Sequence, residues 1–182
     1  MGYDFSQVAF LVVDDNAHMR RLVRSLLQAF GASHILEAAD GSAALKHMTA
    51  QMPDVVITDF MMQPMDGVAF TRKLRNEPGK VDPFVPVIMM TGYTDMERVI
   101  EARDAGVTEI VAKPLTASSL YSRLAAVIEN PRPFVKTERY FGPDRRRRQE
   151  PYDGADRRRR PPETVAMGSR QPVDDDSEIE WN

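Results

Sequence analysis

Apolar residues in the first two-thirds of the chain fall into short continuous runs separated by longer stretches with helical spacing. The runs VAFLVV (8–13), VVIT (55–58), PVIMMT (86–91) and EIVA (109–112) lack polar alternation, the pattern of strands buried on both faces. HILEA (34–38) is a fifth, weaker run of the same kind. HMRRLVRSLLQAFG places Met19, Leu22, Val23, Leu26, Leu27 and Phe30 on one helical face and stops at Gly31, a C-capping residue. GSAALKHMTAQ, DGVAFTRKLRN, DMERVIEARDAG and TASSLYSRLAAVIEN supply four more helices, the last with Thr116 as N-cap. Five β-α units in succession predict an α/β fold: a doubly wound (βα)5 domain of flavodoxin type, its parallel sheet covered by helices on both faces.

The pattern stops after Asn130. PRPFVKTERYFGP has neither helical nor strand period, and RPPETVAMGSRQPVDDDSEIEWN is polar, Pro-containing and acidic. The expected organisation is a globular domain over 1–130, an arginine-rich arm over 131–160 and an acidic, disordered tail over 161–182. The formal net charge of −3 conceals this division. Residues 1–131 carry 12 Lys+Arg against 16 Asp+Glu, residues 132–160 carry 11 against 5, and residues 161–182 carry 1 against 6. An acidic body, a basic arm and an acidic tip are three different electrostatic objects.

Composition narrows the remaining classes. A hydrophobic fraction of 42% over 182 residues allows one packed domain plus an extension. With no cysteine there is neither a disulfide framework nor a thiolate metal site. The N-terminus lacks a basic n-region and no apolar stretch approaches the ~18 residues of a membrane span, so the expected location is cytoplasmic. His18, His34 and His47 are scattered without metal spacing, and Met89 and Met90 read as core.

Ligands of a doubly wound sheet sit at the carboxyl ends of its strands. There the sequence places Asp14 and Asp15 after the first strand, Asp59 after the third, Thr91 after the fourth and Lys113 after the fifth. Converging carboxylates repel one another unless a hard divalent cation joins them, and Mg2+ prefers such oxygen ligands. A carboxylate held against Mg2+ can attack a phosphoryl group while a Lys ammonium and a Thr hydroxyl steady the phosphoryl oxygens. The chemistry read from these residues is acyl-phosphate formation on an Asp.

VVDDN, VVITDFMMQPMDG, MMTG and VAKP, in that order, resemble the receiver domain of bacterial two-component response regulators, the CheY-like fold, over residues 7–130. The resemblance implies that Asp59 is the phospho-acceptor and that Asp14, Asp15 and the Met61 carbonyl join it in holding Mg2+. It implies contact of Thr91 and Lys113 with the phosphoryl group, a cis Lys113–Pro114 peptide, and a histidine kinase upstream. One departure stands out: Ile110 occupies the position, three residues before the Lys, where many receivers carry a Tyr or Phe that swings on phosphorylation. Tyr93 is the nearest substitute in the chain.

The arm reads as one nine-residue phrase said twice in YFGPDRRRRQEPYDGADRRRR, with every matching residue shifted by twelve. Tyr140, Gly142, Asp144 and Arg145, Arg146, Arg147 and Arg148 correspond to Tyr152, Gly154, Asp156 and Arg157, Arg158, Arg159 and Arg160. Residues 132–160 contain ten Arg and one Lys, whereas nonspecific phosphate attraction would mix Lys freely. The planar guanidinium suits bidentate bonds to phosphate or to the guanine O6/N7 edge, and stacking on bases. The Asp before each run offers an acceptor for guanine N1–H and N2–H, and the tyrosines offer stacking rings. Duplication points to a ligand with two equivalent halves, and cyclic di-GMP has that form. A receiver with a C-terminal arginine-rich extension resembles the Cle proteins, CheY-like cyclic-di-GMP effectors that act at the flagellar motor switch. The resemblance implies a signalling adaptor, not a turnover enzyme, recruited to the motor at a cell pole, with no DNA-binding domain. Two alternatives are a phosphoryl shuttle or sink working through Asp59 alone, and a nonspecific binder of nucleic acid or anionic membrane. Masking of the arm by the acidic tip is a further expectation.

Overall fold

The computed structural model describes residues 3–77, 81–92, 96–138, 140–145 and 163–165. Five strands, β1 (Ala9–Val13), β2 (His34–Ala38), β3 (Val55–Asp59), β4 (Val87–Thr91) and β5 (Glu109–Ala112), alternate with α1 (Ala17–Ala29), α2 (Gly41–Gln51), α3 (Gly67–Asn76), α4 (Met96–Ala105) and α5 (Ala117–Glu129). All pairings are parallel, in the order β2-β1-β3-β4-β5, which is the doubly wound fold expected from the pattern.

Because successive side chains of a strand point to opposite faces, each unbroken apolar run feeds two cores. Phe10, Val12, Ile57, Ile88 and Met90 pack with Val23 and Leu27 of α1 and with Leu120, Leu124 and Val127 of α5. Leu11, Val13, Val56, Val87 and Met89 face the other way, onto Met48 of α2, Phe70 and Leu74 of α3, and Ala102 and Ala105 of α4. Side-chain caps set the helix starts: Asn16 for α1, Asp40 for α2, Asp66 for α3, and a full Thr116–Ser119 capping box for α5. Gly31, at φ +94°, follows the α1 C-cap as expected.

The chain does not become irregular at Asn130. Residues 134–136 form β6 (Phe134–Lys136), residues 141–143 form β7 (Phe141–Pro143) and residues 163–165 form β8 (Glu163–Val165). They build a small antiparallel sheet in the order β7-β6-β8. The start of the arm, expected from 131, is therefore built onto the globular body, and residues 163–165 of the segment expected to be disordered form a strand. Three-residue strands carry almost no period-2 signal, and the apolar partner that orders them is remote in sequence. Phe134 is 2% exposed and forms an aromatic trio with Phe84 and Phe141, at centroid distances of 5.0, 5.4 and 5.6 Å. The expectation of disorder in 166–182, and the proposed masking by the acidic tip, lie outside the described residues.

Beneath the trio lies Arg75, at the C-terminal end of α3. Its guanidinium is buried and sits 5.1 Å from the Phe134 ring centroid. It donates from Nε to the Gly106 carbonyl at 3.1 Å, and from Nη1 to the carbonyls of Val85 at 2.8 Å and Pro83 at 2.5 Å. Burial pulls its pKa down to about 10. Arg132 completes the seam by donating to the carbonyls of Thr108, at 3.2 Å, and Asp144. Gly142 is forced by this packing, since a Cβ there would lie 2.7 Å from the Tyr140 hydroxyl and 3.0 Å from the Gly106 Cα.

Phe134→Ala therefore tests whether the small sheet is an appendage. The substitution is expected to cost about 3 kcal/mol, the usual scale for a buried Phe. Hydrogen exchange should accelerate at the Asp144 amide, which donates to Pro133, while Ile57 in the central strand stays protected. Equal loss of protection at both sites would make the extension an integral part of the main core.

Candidate phosphoryl-transfer site and the arm that flanks the sheet

The strands β1 and β3 are neighbours, and the chain leaves the sheet in opposite directions after them, so their carboxyl ends open a crevice. Asp14 and Asp15 follow β1, and Asp59 is the last residue of β3. A carboxylate oxygen from each of these three residues lies within 4.8 Å of the others. Asp14 is 1% exposed and Asp59 9%. Lys113 bridges them, its Nζ 2.9 Å from Asp59 Oδ1 and 3.3 Å from Asp14 Oδ2.

Backbone contacts hold these side chains in register. The Lys113 amide donates to the Thr91 carbonyl at 2.8 Å, tying the exit of β5 to the end of β4, and Thr91 is itself buried. Lys113–Pro114 is cis, as expected, and so is Gln63–Pro64, which the sequence reading did not single out. The Asp14 carboxylate also accepts from the Asn16 amide at 2.8 Å. Two contributors escaped the sequence reading. Arg20, one turn into α1, donates to the carbonyl of Asp14 at 2.7 Å and also pairs with Glu37 at 3.4 Å. Gly67 opens α3 where a Cβ would lie 2.1 Å from the Asp59 carbonyl oxygen, so only Gly admits this approach. DG before an apolar helix was the available signal. Met61 lies two residues beyond Asp59 with an exposed side chain, so only its backbone is suited to a ligand role.

Electrostatics separate the two bridged ends. Burial is the largest influence on Asp14 and pushes its carboxyl above the ordinary value of 3.8, partly opposed by the Asn16 amide and Lys113. For Lys113 burial is again the largest single influence and acts downward. Its hydrogen bond to Asp59 and the charges of Asp59 and Asp14 together outweigh it, so the ammonium titrates above 10.5. The donor set fits Mg2+: hard oxygens, one deeply buried, with a cation already needed to offset them.

Residues 10–125 match the family described as response regulator receiver domain. The chain belongs to this receiver family. It is similar to the chemotaxis protein CheY-3 of Vibrio cholerae, 36% identical over 119 residues, which span 65% of this chain and 90% of that protein. It is also similar to the chemotaxis protein CheY of Pseudomonas aeruginosa, 34% identical over 65% of this chain and 94% of that protein. Among solved structures, the chemotaxis response regulator CheY4 of Vibrio cholerae superposes with a TM-score of 0.61 at 31% identity, covering 66% of this chain and 98% of that one. The receiver domain of NtrX from Brucella abortus gives 0.60 at 28% identity, covering 66% and 98%. Receiver domains bind Mg2+ at an acidic pocket, and Asp14, Asp15 and Asp59 form that pocket here. The chain is a CheY-like receiver of two-component signalling, and the residues after 125 lie outside the match. No helix among the described residues is long and apolar enough to cross a membrane.

Ile110 pairs with Met89 across β4 and β5 and packs, half-buried, against the α2–α4 core. A branched aliphatic there has no ring to swing. Tyr93 lies outside the described residues. Of the arm candidates, Tyr140, Asp144 and Arg145 are described; Arg146, Arg147, Arg148, Tyr152, Asp156, Arg157, Arg158, Arg159 and Arg160 lie outside the described residues. The Tyr140 hydroxyl donates to the Pro143 carbonyl at 2.8 Å and its ring is covered by the Arg145 guanidinium at 3.9 Å. Arg145 also pairs with Asp104 of α4 at 3.2 Å, a partner the sequence reading did not anticipate.

Asp14 sets a pH and metal dependence. With its folded pKa raised, its contribution to stability is full below 3.8 and is lost as pH rises through the raised value. Without metal at neutral pH, Asp14→Asn should therefore raise Tm, by about 2–4 °C, while weakening Mg2+ binding. Thermal scans with and without Mg2+ check this; a lower metal-free Tm would mean that the Lys113 pairing outweighs burial.

Proposed function

We propose that this receiver is a phospho-acceptor and nucleotide-responsive adaptor: Asp59 takes a phosphoryl group, and the arginine-rich arm binds cyclic di-GMP. It then engages a partner, the flagellar motor switch being the one the Cle resemblance implies. It performs no turnover chemistry. The observation that carries the reading is the duplicated YxGxDRRRR phrase, placed beyond the receiver match, with residues 140–145 of its first copy held against the body. Ten arginines against one lysine in 132–160 favour bidentate recognition of phosphate and guanine over simple charge attraction. Of the phrase, Tyr140, Asp144 and Arg145 belong to the seam; the other contacts are assigned to Arg146, Arg147, Arg148, Arg157, Arg158, Arg159 and Arg160, with Tyr152 and Asp156 in support.

At the sheet end, a carboxylate oxygen of Asp59 attacks the phosphorus of a phosphohistidine, the P–N bond breaks to the imidazole, and an acyl phosphate forms. Mg2+, held by Asp14, Asp15, Asp59 and the Met61 carbonyl, would supply charge neutralisation. Lys113, within 2.9 Å of Asp59, balances the added negative charge, and the Thr91 hydroxyl is assigned to a phosphoryl oxygen.

Calorimetric titration of the full chain with cyclic di-GMP at physiological salt tests the arm. Micromolar or tighter binding is expected, lost when residues 157–160 are changed to Ala and absent with GMP. Equal heat with GMP, or affinity that collapses with salt irrespective of the base, would return the arm to a nonspecific polycation.

The intact Asp14–Asp59–Lys113 constellation favours one second reading, a phosphoryl shuttle or sink with a histidine kinase as donor. Asp59→Asn separates the two: signalling retained by that variant places the output in the arm, and signalling abolished places it in phosphotransfer.

A further inference from the structure

We infer that Asp104, on the receiver body, is an internal competitor for the arm's ligand, pairing with the Arg145 guanidinium that an anion would take. The inference rests on the proposed anion-binding role of the arm and concerns how its first arginine is held beforehand.

Arg145 is delivered to Asp104 by a fastened segment. Arg132 closes on the Asp144 carbonyl, the Asp144 amide donates to Pro133 at 2.7 Å, and the Tyr140 hydroxyl is fixed on Pro143. The Arg145 guanidinium then stacks on Tyr140 at 3.9 Å while Nη1 meets Asp104 Oδ1 at 3.2 Å. Asp104 sits in the last turn of α4, where a carboxylate opposes the helix dipole, so neighbouring cations are what make the position tolerable.

The geometry makes the pair easy to open. Asp104 Oδ1 also accepts from Arg103 Nε at 3.1 Å, and so keeps a partner when Arg145 leaves. Arg145 in turn keeps its stack on Tyr140. The two side chains are 39% and 41% exposed, so neither ion becomes buried and unpaired. Asp104 Oδ1 meets one nitrogen of the Arg145 guanidinium, and a phosphate oxygen drawing on the same Nη1 would displace it. Asp104 thus lowers the arm's affinity for any phosphate while keeping Arg145 oriented for exchange.

The test is a double-mutant cycle in the full chain, titrated at low salt with inorganic pyrophosphate and, separately, with cyclic di-GMP. Asp104→Asn is expected to tighten pyrophosphate binding about threefold, the scale of one exposed ion pair. Glu101→Gln removes the same charge one turn earlier on α4, from a carboxylate that faces Arg72 instead, and should change affinity much less. In an Arg145→Ala background the Asp104→Asn effect should vanish. An equal gain from Glu101→Gln, a gain that survives Arg145→Ala, no gain, or no pyrophosphate binding by any variant would overturn the inference. A cycle that behaves as expected with pyrophosphate, with no cyclic di-GMP bound by any variant, would sustain the competitor and overturn the nucleotide reading.

Discussion

One ammonium group organises the carboxyl end of the sheet. Asp14 and Asp59 are almost fully shielded from water and close enough to repel, and Lys113 reaches both. That reach requires β5 to lie beside β4, with its exit tied to Thr91, and β4 to lie beside β3, so that the whole strand order serves one short ion-pair bridge. The bridge leaves three acidic groups facing a single positive charge. The shortfall is what suits the pocket to a divalent cation, and the burial that raises the Asp14 pKa is tolerated because it prepares that pocket. Removing a single strand would separate charges that are costly to leave unpaired.

At the other end of the same strands a second buried cation does the opposite job. Arg75 donates from Nε and Nη1 to the carbonyls of Pro83, Val85 and Gly106, its Nη2 is buried without a hydrogen-bond partner, and Phe134 covers it. A guanidinium with five donors in a flat fork can tie two loops to the end of α3 at once, which an ammonium could not do with the same geometry. The aromatic trio needs that platform: Phe84 comes from the loop before β4, while Phe134 and Phe141 come from the extension. What joins the extension to the receiver is thus packing over a polar rivet, and the arginine-rich sequence begins where that packing ends.

The receiver was legible because its signals are local or repeated. Five apolar runs, the Thr116 N-cap, the Gly31 C-cap and four separated motifs each point to the same topology, and Asp14, Asp15, Asp59 and Lys113 come together as their places at strand ends require. The small sheet was not legible, because Phe134, Val135 and Phe141 form no periodic pattern and their partner Phe84 lies some fifty residues earlier. Arg20, Gly67 and Arg75 were missed for a related reason. Each acts through backbone carbonyls or close backbone approach, and a side-chain pattern does not record where a distant carbonyl points. Nothing in the sequence sets Asp104 apart from other charges of its helix, and only the fold brings Arg145 beside it.

The two charged sites lie at opposite ends of the sheet, and this limits how they can communicate. Strands of five residues separate them by about 16 Å, roughly two Debye lengths at physiological salt, so exposed charges at one end are largely screened from the other. Any coupling has to pass through packed elements, and α4 is one that reaches towards both, as α3 does between Gly67 and Arg75. Near the start of α4 Arg98 lies over the ring of Phe60, the residue after Asp59, at 5.3 Å. In its last turn Asp104 holds Arg145. With Ile110 at the position where many receivers carry an aromatic ring, a response to a change at Asp59 would have to run through packing such as that of Arg98 on Phe60. A small rotation of α4 would move Asp104 relative to a fastened Arg145, and an ion pair at 3.2 Å weakens steeply with such displacement. Phosphorylation and ligand binding would then act on the same helix from its two ends, and linkage requires whatever coupling results to be reciprocal.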